Sequence, residues 1–187
     1  MSTSKAAPRK STRKSAPAVK AEPQPERFLV LLRHAEAEEP SSDKKDEDRG
    51  LTAKGHAQMK KIARGLAHAL PKAEAIYSSP LLRAVQTSLW VSKGYHSGVS
   101  VTTTDALAPG TSMKDFLAFI ATIKERRAVI VGHEPALTSG LRALVRLDVW
   151  DRLDLKKGGC YGVRILSDGT ATWEWMLPSR LLRKMGE

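Results

Sequence analysis

Phe28-Leu29-Val30-Leu31-Leu32-Arg33-His34 is the stretch on which the reading of this chain turns. An apolar run of strand length stops on a guanidinium and an imidazole. In open α/β sheets, ligands bind beyond the carboxyl ends of the strands. Arg33 and His34 therefore stand where a site would be built, and an imidazole held beside a fixed cation suits attack on a phosphate. The alternative is a strand that merely ends in polar residues. Three later segments decide between the two.

After Leu32 the chain alternates strand-like and helix-like segments. A charged loop from Glu36 to Gly50 leads to Thr52, an N-cap for a helix running to about Leu70, with Met59, Ile62, Ala63, Leu66 and Leu70 on one face. Pro71 ends it. Ala75-Ile76-Tyr77-Ser78 reads as a strand, and Pro80 opens a second helix reaching about Val91. Val99 to Thr102 is a weaker strand, and Met113 to about Lys124 is a helix with Phe116, Leu117 and Ile120 inward. Ala128-Val129-Ile130-Val131 is wholly apolar, which predicts a central strand covered on both faces. A helix from about Pro135 to Leu147 follows. Cys160–Leu166 and Thr170–Leu177, joined by Ser167-Asp168-Gly169, carry a hairpin signal. The alternation predicts an α/β protein, a three-layer α/β/α sandwich with a mostly parallel sheet.

The 187 residues suit one domain with a sizeable core. No apolar run approaches the roughly 18 residues needed to cross a bilayer. The lone cysteine, Cys160, forms no internal disulfide and offers no thiolate cluster for zinc, which points to a reducing cytoplasm. The net charge is +11. Residues 1–26 hold six Lys or Arg against Glu22 and Glu26, a net +4, and leave +7 for residues 27–187. Rich in Ser, Ala, Pro and Lys, the first 26 residues cannot bury enough surface to offset their ordering entropy and read as a disordered basic arm. Three roles compete for the arm: a solubilising tail, a nonspecific contact with nucleic acid or an acidic protein surface, and a transit peptide. Its four prolines, at 8, 17, 23 and 25, count against the last.

Three predicted strands end in candidate phosphate ligands. The first ends at Arg33-His34, the second passes through Ser78-Ser79-Pro80 into a helix carrying Arg83, and the central one ends at His133-Glu134. A parallel sheet brings these ends to one edge. Two Arg then offer planar forks of donors to phosphate oxygens. One neutral imidazole serves as nucleophile, and a second, protonated one stabilises charge on the equatorial oxygens. No metal or other cofactor is called for, since Arg and His supply the countercharge, and no Gly-rich GK[ST] loop is present.

Four segments, Arg33-His34-Ala35-Glu36, Arg49-Gly50-Leu51-Thr52-Ala53-Lys54-Gly55, Ser78-Ser79-Pro80-Leu81-Leu82-Arg83-Ala84-Val85-Gln86-Thr87 and Val131-Gly132-His133-Glu134-Pro135, resemble in order the motifs of the histidine phosphatase superfamily, the phosphoglycerate-mutase-like fold. The resemblance spans about residues 27–178. It implies that His34 is the phosphorylated nucleophile and that Arg33, Arg83 and His133 form the phosphate pocket. Arg49 either reaches the substrate phosphate or makes a surface ion pair.

Phosphoester-cleaving members of that family carry a Glu proton donor in a Leu-x-Glu segment. Pro109 stands at the corresponding position here, in Leu107-Ala108-Pro109, and only 49 residues separate Arg83 from His133. Both departures, and the run Leu155-Lys156-Lys157-Gly158-Gly159, resemble the SixA-like branch, whose members dephosphorylate phosphohistidine in signalling proteins. The chemistry agrees. An alkoxide needs a proton from a positioned acid, whereas imidazole, with a pKa of about 6.5, leaves more readily. The implied partner is a phosphorylated protein of His-phosphotransfer or phosphocarrier type, drawn to a basic surface. Two rivals remain. One is a small-molecule phosphomonoesterase with Asp105 as acid, if Asp105 is more than a turn residue. The other is a catalytically vestigial module that binds phosphoprotein or nucleic acid. Glu134 either orients a neighbour or simply suits a helix start. His56, His68 and His96 read as non-catalytic, and Trp90, Trp150, Trp173 and Trp175 as packing residues.

Overall fold

The computed structural model describes residues 25–95, 98–147 and 153–187. The expected arm, His96 and Trp150 fall outside them, apart from Pro25 and Glu26 at the arm's end, which are exposed. Six strands form one mixed sheet: β1 (Arg27–Arg33), β2 (Ala75–Ser78), β3 (Val101–Thr103), β4 (Arg127–Gly132), β5 (Cys160–Ile165) and β6 (Ala171–Leu177). Their order is β3-β2-β4-β1-β5-β6. The first four run parallel, while β5 pairs antiparallel with both β1 and β6. Helices α1 (Ala53–Ala69), α2 (Leu82–Gly94), α3 (Met113–Thr122), α4 (Ala136–Val145) and α5 (Ser179–Met185) cover both faces.

The two faces follow from the alternation of side chains along each strand. Val30 and Leu32 of β1, with Val129 and Val131 of β4, meet Met59, Ile62 and Leu66 of α1, Val91 of α2 and Leu182 of α5. Leu29 and Leu31, with Ala128 and Ile130, meet Phe116 and Ile120 of α3 and Leu137 and Leu141 of α4. Residues 29–32 of β1 and 128–131 of β4 are fully buried on both faces, which is why these stretches are continuous apolar runs rather than alternating ones. The α/β/α sandwich is the architecture expected from the alternating pattern.

Local signals hold where a side chain makes them. The Thr52 hydroxyl accepts from Gly55 N at 2.9 Å and caps α1. The 160–177 hairpin closes with Leu166 N donating to Thr170 O (2.8 Å) and Gly169 at φ +83°. Other boundaries move. Pro80 does not open α2: Ser79-Pro80-Leu81 form a separate turn, with Ser79 N bonded to Val131 O, and Leu81 is the N-cap. β3 is shorter and later than expected, α3 stops at Thr122, and α4 spans only Ala136–Val145. Helix α5 was not anticipated. Seven residues are too few for a helical period to show, and α5 is held instead by tertiary contact, with Gly65 of α1 lying so close that an added Cβ would stand 2.0 Å from Leu182 O. Among the described residues, no helix is long and apolar enough to cross a membrane.

Candidate active site

The parallel register of β1 on β4 pairs Arg33 with Gly132, so the residues that follow, His34 and His133, emerge side by side. His34 N donates to Gly132 O at 3.0 Å, and the two imidazole rings lie with centroids 5.0 Å apart and planes tilted by 53°. Both are buried, at 8% and 5% exposure. His34 Nδ1 lies 2.8 Å from Ala35 O. A carbonyl only accepts, so Nδ1 carries the proton and the lone pair sits on Nε2. His133 Nε2 shares a 2.8 Å hydrogen bond with the Ser79 hydroxyl, at the end of β2.

Burial lowers the His34 pKa to about 4, with the positive charges of Arg83, Arg33 and Lys157 adding to the effect against the Ala35 hydrogen bond. Burial, His34 and Arg83 together lower His133 to about 3. Both rings are neutral at pH 7 in the free site. The expected protonated partner is therefore neutral in the free site, because burial and the neighbouring positive charges outweigh the opposing carboxylate of Asp46. A bound phosphate dianion would reverse that balance.

The cations are held by backbone. Arg33 gives one terminal nitrogen to Leu155 O (2.7 Å). Gly158 N donates to both Arg33 O (3.1 Å) and His34 O (3.2 Å), and Arg33 N to Gly159 O (3.0 Å), so the Leu155–Gly159 run clamps the Arg-His pair from one side. From the other side, Thr87 of α2 accepts from Ala35 N (3.1 Å) while donating to Arg83 O (2.7 Å). Arg83, 4% exposed, is thereby fixed in the first turn of α2 beside the residue that follows His34.

Sequence reading missed Asp46. It opens a 3-10 turn, Asp46–Asp48, in a charged loop that carries no periodic signal, and its carboxylate lies on Arg83 at 2.9 Å and on Arg49 at 2.5 Å. Arg49 is committed to that loop: its Nε and one terminal nitrogen go to Asp46 Oδ1, the other to Glu38 O. Asp105 lies exposed in a second 3-10 turn, Asp105–Leu107, and only its main-chain carbonyl is engaged there, by the Thr111 hydroxyl and Ala108 N. Pro109 lines a shallow depression of about 300 Å³ together with Asp46, Lys45 and Leu81. Glu134 is half-buried, with burial raising its pKa and Thr138 hydrogen bonds opposing the rise. His56 and His68, both on α1, bond Trp90 (2.9 Å) and Met185 O (2.9 Å) respectively. Among the described residues, no three His, Cys, Asp or Glu side chains are grouped to hold a metal.

Both the sequence and the fold of the chain have counterparts among known proteins. The sequence model of the histidine phosphatase superfamily (branch 1) matches residues 29–108. An uncharacterized protein of Picosynechococcus sp. is 34% identical over 142 residues, covering 73% of this chain and 84% of that protein. The chain belongs to the histidine phosphatase superfamily. As a histidine phosphatase it shares its fold with the protein histidine phosphatase SixA in complex with tungstate, at a TM-score of 0.73 and 20% identity over 83% of this chain and 99% of that one. It also resembles a mycobacterial glucosyl-3-phosphoglycerate phosphatase, at a TM-score of 0.61 and 17% identity over 82% and 99%. At these identities the likeness is one of fold. This histidine phosphatase therefore shares its scaffold with both a protein phosphatase and a small-molecule one.

Proposed function

We propose that this histidine phosphatase removes phosphate from phosphohistidine on a protein, using His34 as nucleophile. The observation that carries the reading is the tautomer of His34. Its Nδ1–H is committed to Ala35 O, so the neutral ring presents the Nε2 lone pair in a pocket flanked by Arg33, Arg83 and His133. His34 attacks phosphorus in line, and the substrate's imidazole, already protonated by solvent on its other ring nitrogen, departs as neutral imidazole with the P–N electron pair. Arg33 and Arg83 carry the negative charge of the transferring group. His133 takes up a proton as the phosphoryl group enters and donates a hydrogen bond to it. Water then cleaves the phosphohistidine on His34 and releases inorganic phosphate.

The lack of an available acid at positions 46, 105 and 109 favours P–N over P–O cleavage. Pro109 lines the depression that Asp46 also lines and carries no acid, Asp105 is exposed in its turn, and Asp46 is held as a carboxylate by two arginines, so it has no proton to give. An imidazole leaving group tolerates this; an alkoxide does not. The shallow depression beside the site suits a side chain presented by a folded protein better than an enclosed metabolite. A His-phosphotransfer or phosphocarrier domain with an acidic surface, in the cytoplasm, fits the basic charge of the chain.

The test compares hydrolysis of a phosphohistidine protein with that of sugar phosphates and nucleotides. A preference for the protein, an acid-labile phosphoenzyme and its loss in His34→Ala are expected. A preference for the esters, with strong loss in Asp105→Asn, would instead select the phosphomonoesterase.

A further inference from the structure

Each terminal nitrogen of Arg83 makes one hydrogen bond in the free protein, while its buried Nε makes none. One donates to Asp46 O (2.7 Å), the other to Asp46 Oδ2 (2.9 Å), and the Arg83 side chain is only 5% exposed. The second carboxylate oxygen, Oδ1, accepts from Nε (2.8 Å) and a terminal nitrogen (2.5 Å) of Arg49. One carboxylate thus bridges two arginines, with one oxygen for each. The Asp46 side chain is itself 58% exposed. Its turn is reached through a loop pinned at Glu38, which accepts from Gly50 N (3.0 Å), Lys44 and, on its carbonyl, Arg49.

We infer that Asp46 is a built-in stand-in for the substrate's phosphoryl group, closing Arg83 in the free enzyme and yielding it when phosphate enters, with Arg49 retaining the displaced carboxylate. The inference rests on the reading of Arg83 as a phosphate ligand. A buried guanidinium without a counter-anion is costly, so the free site needs an acceptor with the charge and shape of the ligand. Asp46 supplies both, its Oδ2 bringing the charge and its main-chain carbonyl the second oxygen, a pair such as a phosphate offers a guanidinium. Exchange is inexpensive in packing because Asp46 is largely in solvent. It strands no charge, because Oδ1 keeps its two hydrogen bonds to Arg49.

The device sets affinity and selectivity. Apparent phosphate binding is weakened by the fraction of molecules in which Arg83 is free. A dianionic phosphoryl group displaces the carboxylate more readily than a monoanion does, and the returning carboxylate helps to expel product phosphate. A proton-donating role for Asp46 is the competing assignment. It does not suit a carboxyl that two arginines hold below its usual range although partial burial opposes them.

Calorimetric titration of the full chain with inorganic phosphate tests this without requiring turnover. Asp46→Asn, and Asp46→Ser as a second neutral variant, should bind phosphate about tenfold more tightly, as expected if roughly a tenth of the wild-type molecules have Arg83 free. Arg49→Ala should bind it more weakly, and should have no further effect in the Asp46→Asn background, because Arg49 acts through Asp46. Unchanged or weaker binding in both folded Asp46 variants overturns the inference, as does a fall in kcat with affinity unaltered. Phosphate binding that survives Arg83→Ala undiminished would overturn the reading of the pocket instead.

Discussion

His34 and His133 stand 5.0 Å apart because Arg33 and Gly132 are register partners on adjacent parallel strands. The pairing needs no flexible loop. Each imidazole follows directly on a strand that is buried on both faces, and His34 N is itself bonded to Gly132 O. The separation is thus a property of the sheet, and the site inherits its rigidity.

His133→Ala should keep the fold and lower kcat by about 10²–10³, the usual consequence of removing one hydrogen-bond donor aimed at developing charge. Circular dichroism and single-turnover kinetics check this. A change confined to KM would assign His133 to binding alone.

Acid should weaken the fold through these two rings. In the folded chain His34 and His133 titrate at about 4 and about 3, against about 6.5 when unfolded. Between those values the unfolded chain binds more protons, so stability is complete above pH ~6.5 and declines as pH falls toward 4. Denaturant midpoints between pH 7.5 and 4.5 should fall less steeply in His133→Asn than in the wild type. Equal slopes would contradict the assignment.

Thr87→Val keeps shape but removes the acceptor of the buried Ala35 N–H. Leaving that amide unpaired costs about 1–3 kcal/mol. Because Thr87 also holds Arg83 O, the variant should lose activity even at temperatures where it is fully folded, measured as kcat/KM alongside Tm.

Gly65→Ala should destabilise the fold by about 1–3 kcal/mol, since its Cβ would fall 2.0 Å from Leu182 O and force α5 off α1. Activity below Tm should persist, because α5 packs on the α1 side of the sheet and contributes no side chain to the pocket. A thermal melt and an activity assay on the same sample separate the two effects.

Much of this was legible along the chain. The apolar runs at 28–32 and 128–131 announce central strands, because a strand covered on both faces has no polar positions. Arg33, His34, Arg83 and His133 stand out because each falls at a strand end or in the first turn of a helix, where a ligand site in this architecture must lie. Thr52 and the Ser167-Asp168-Gly169 turn are readable because one side chain or one left-handed glycine makes them. What escaped was whatever depends on contacts between distant segments. Helix α5 is seated by the close approach of Gly65 on α1, and Asp46 sits in a charged, aperiodic loop whose meaning comes only from Arg83, 37 residues away. The opening pair, Arg33 and His34, was therefore visible as a candidate in the sequence alone. Tertiary structure decided which nitrogen of His34 holds the lone pair, that His133 is neutral in the free site and that a carboxylate closes Arg83. Tautomer, charge and occupancy are set by burial and by neighbours that only the folded chain brings together.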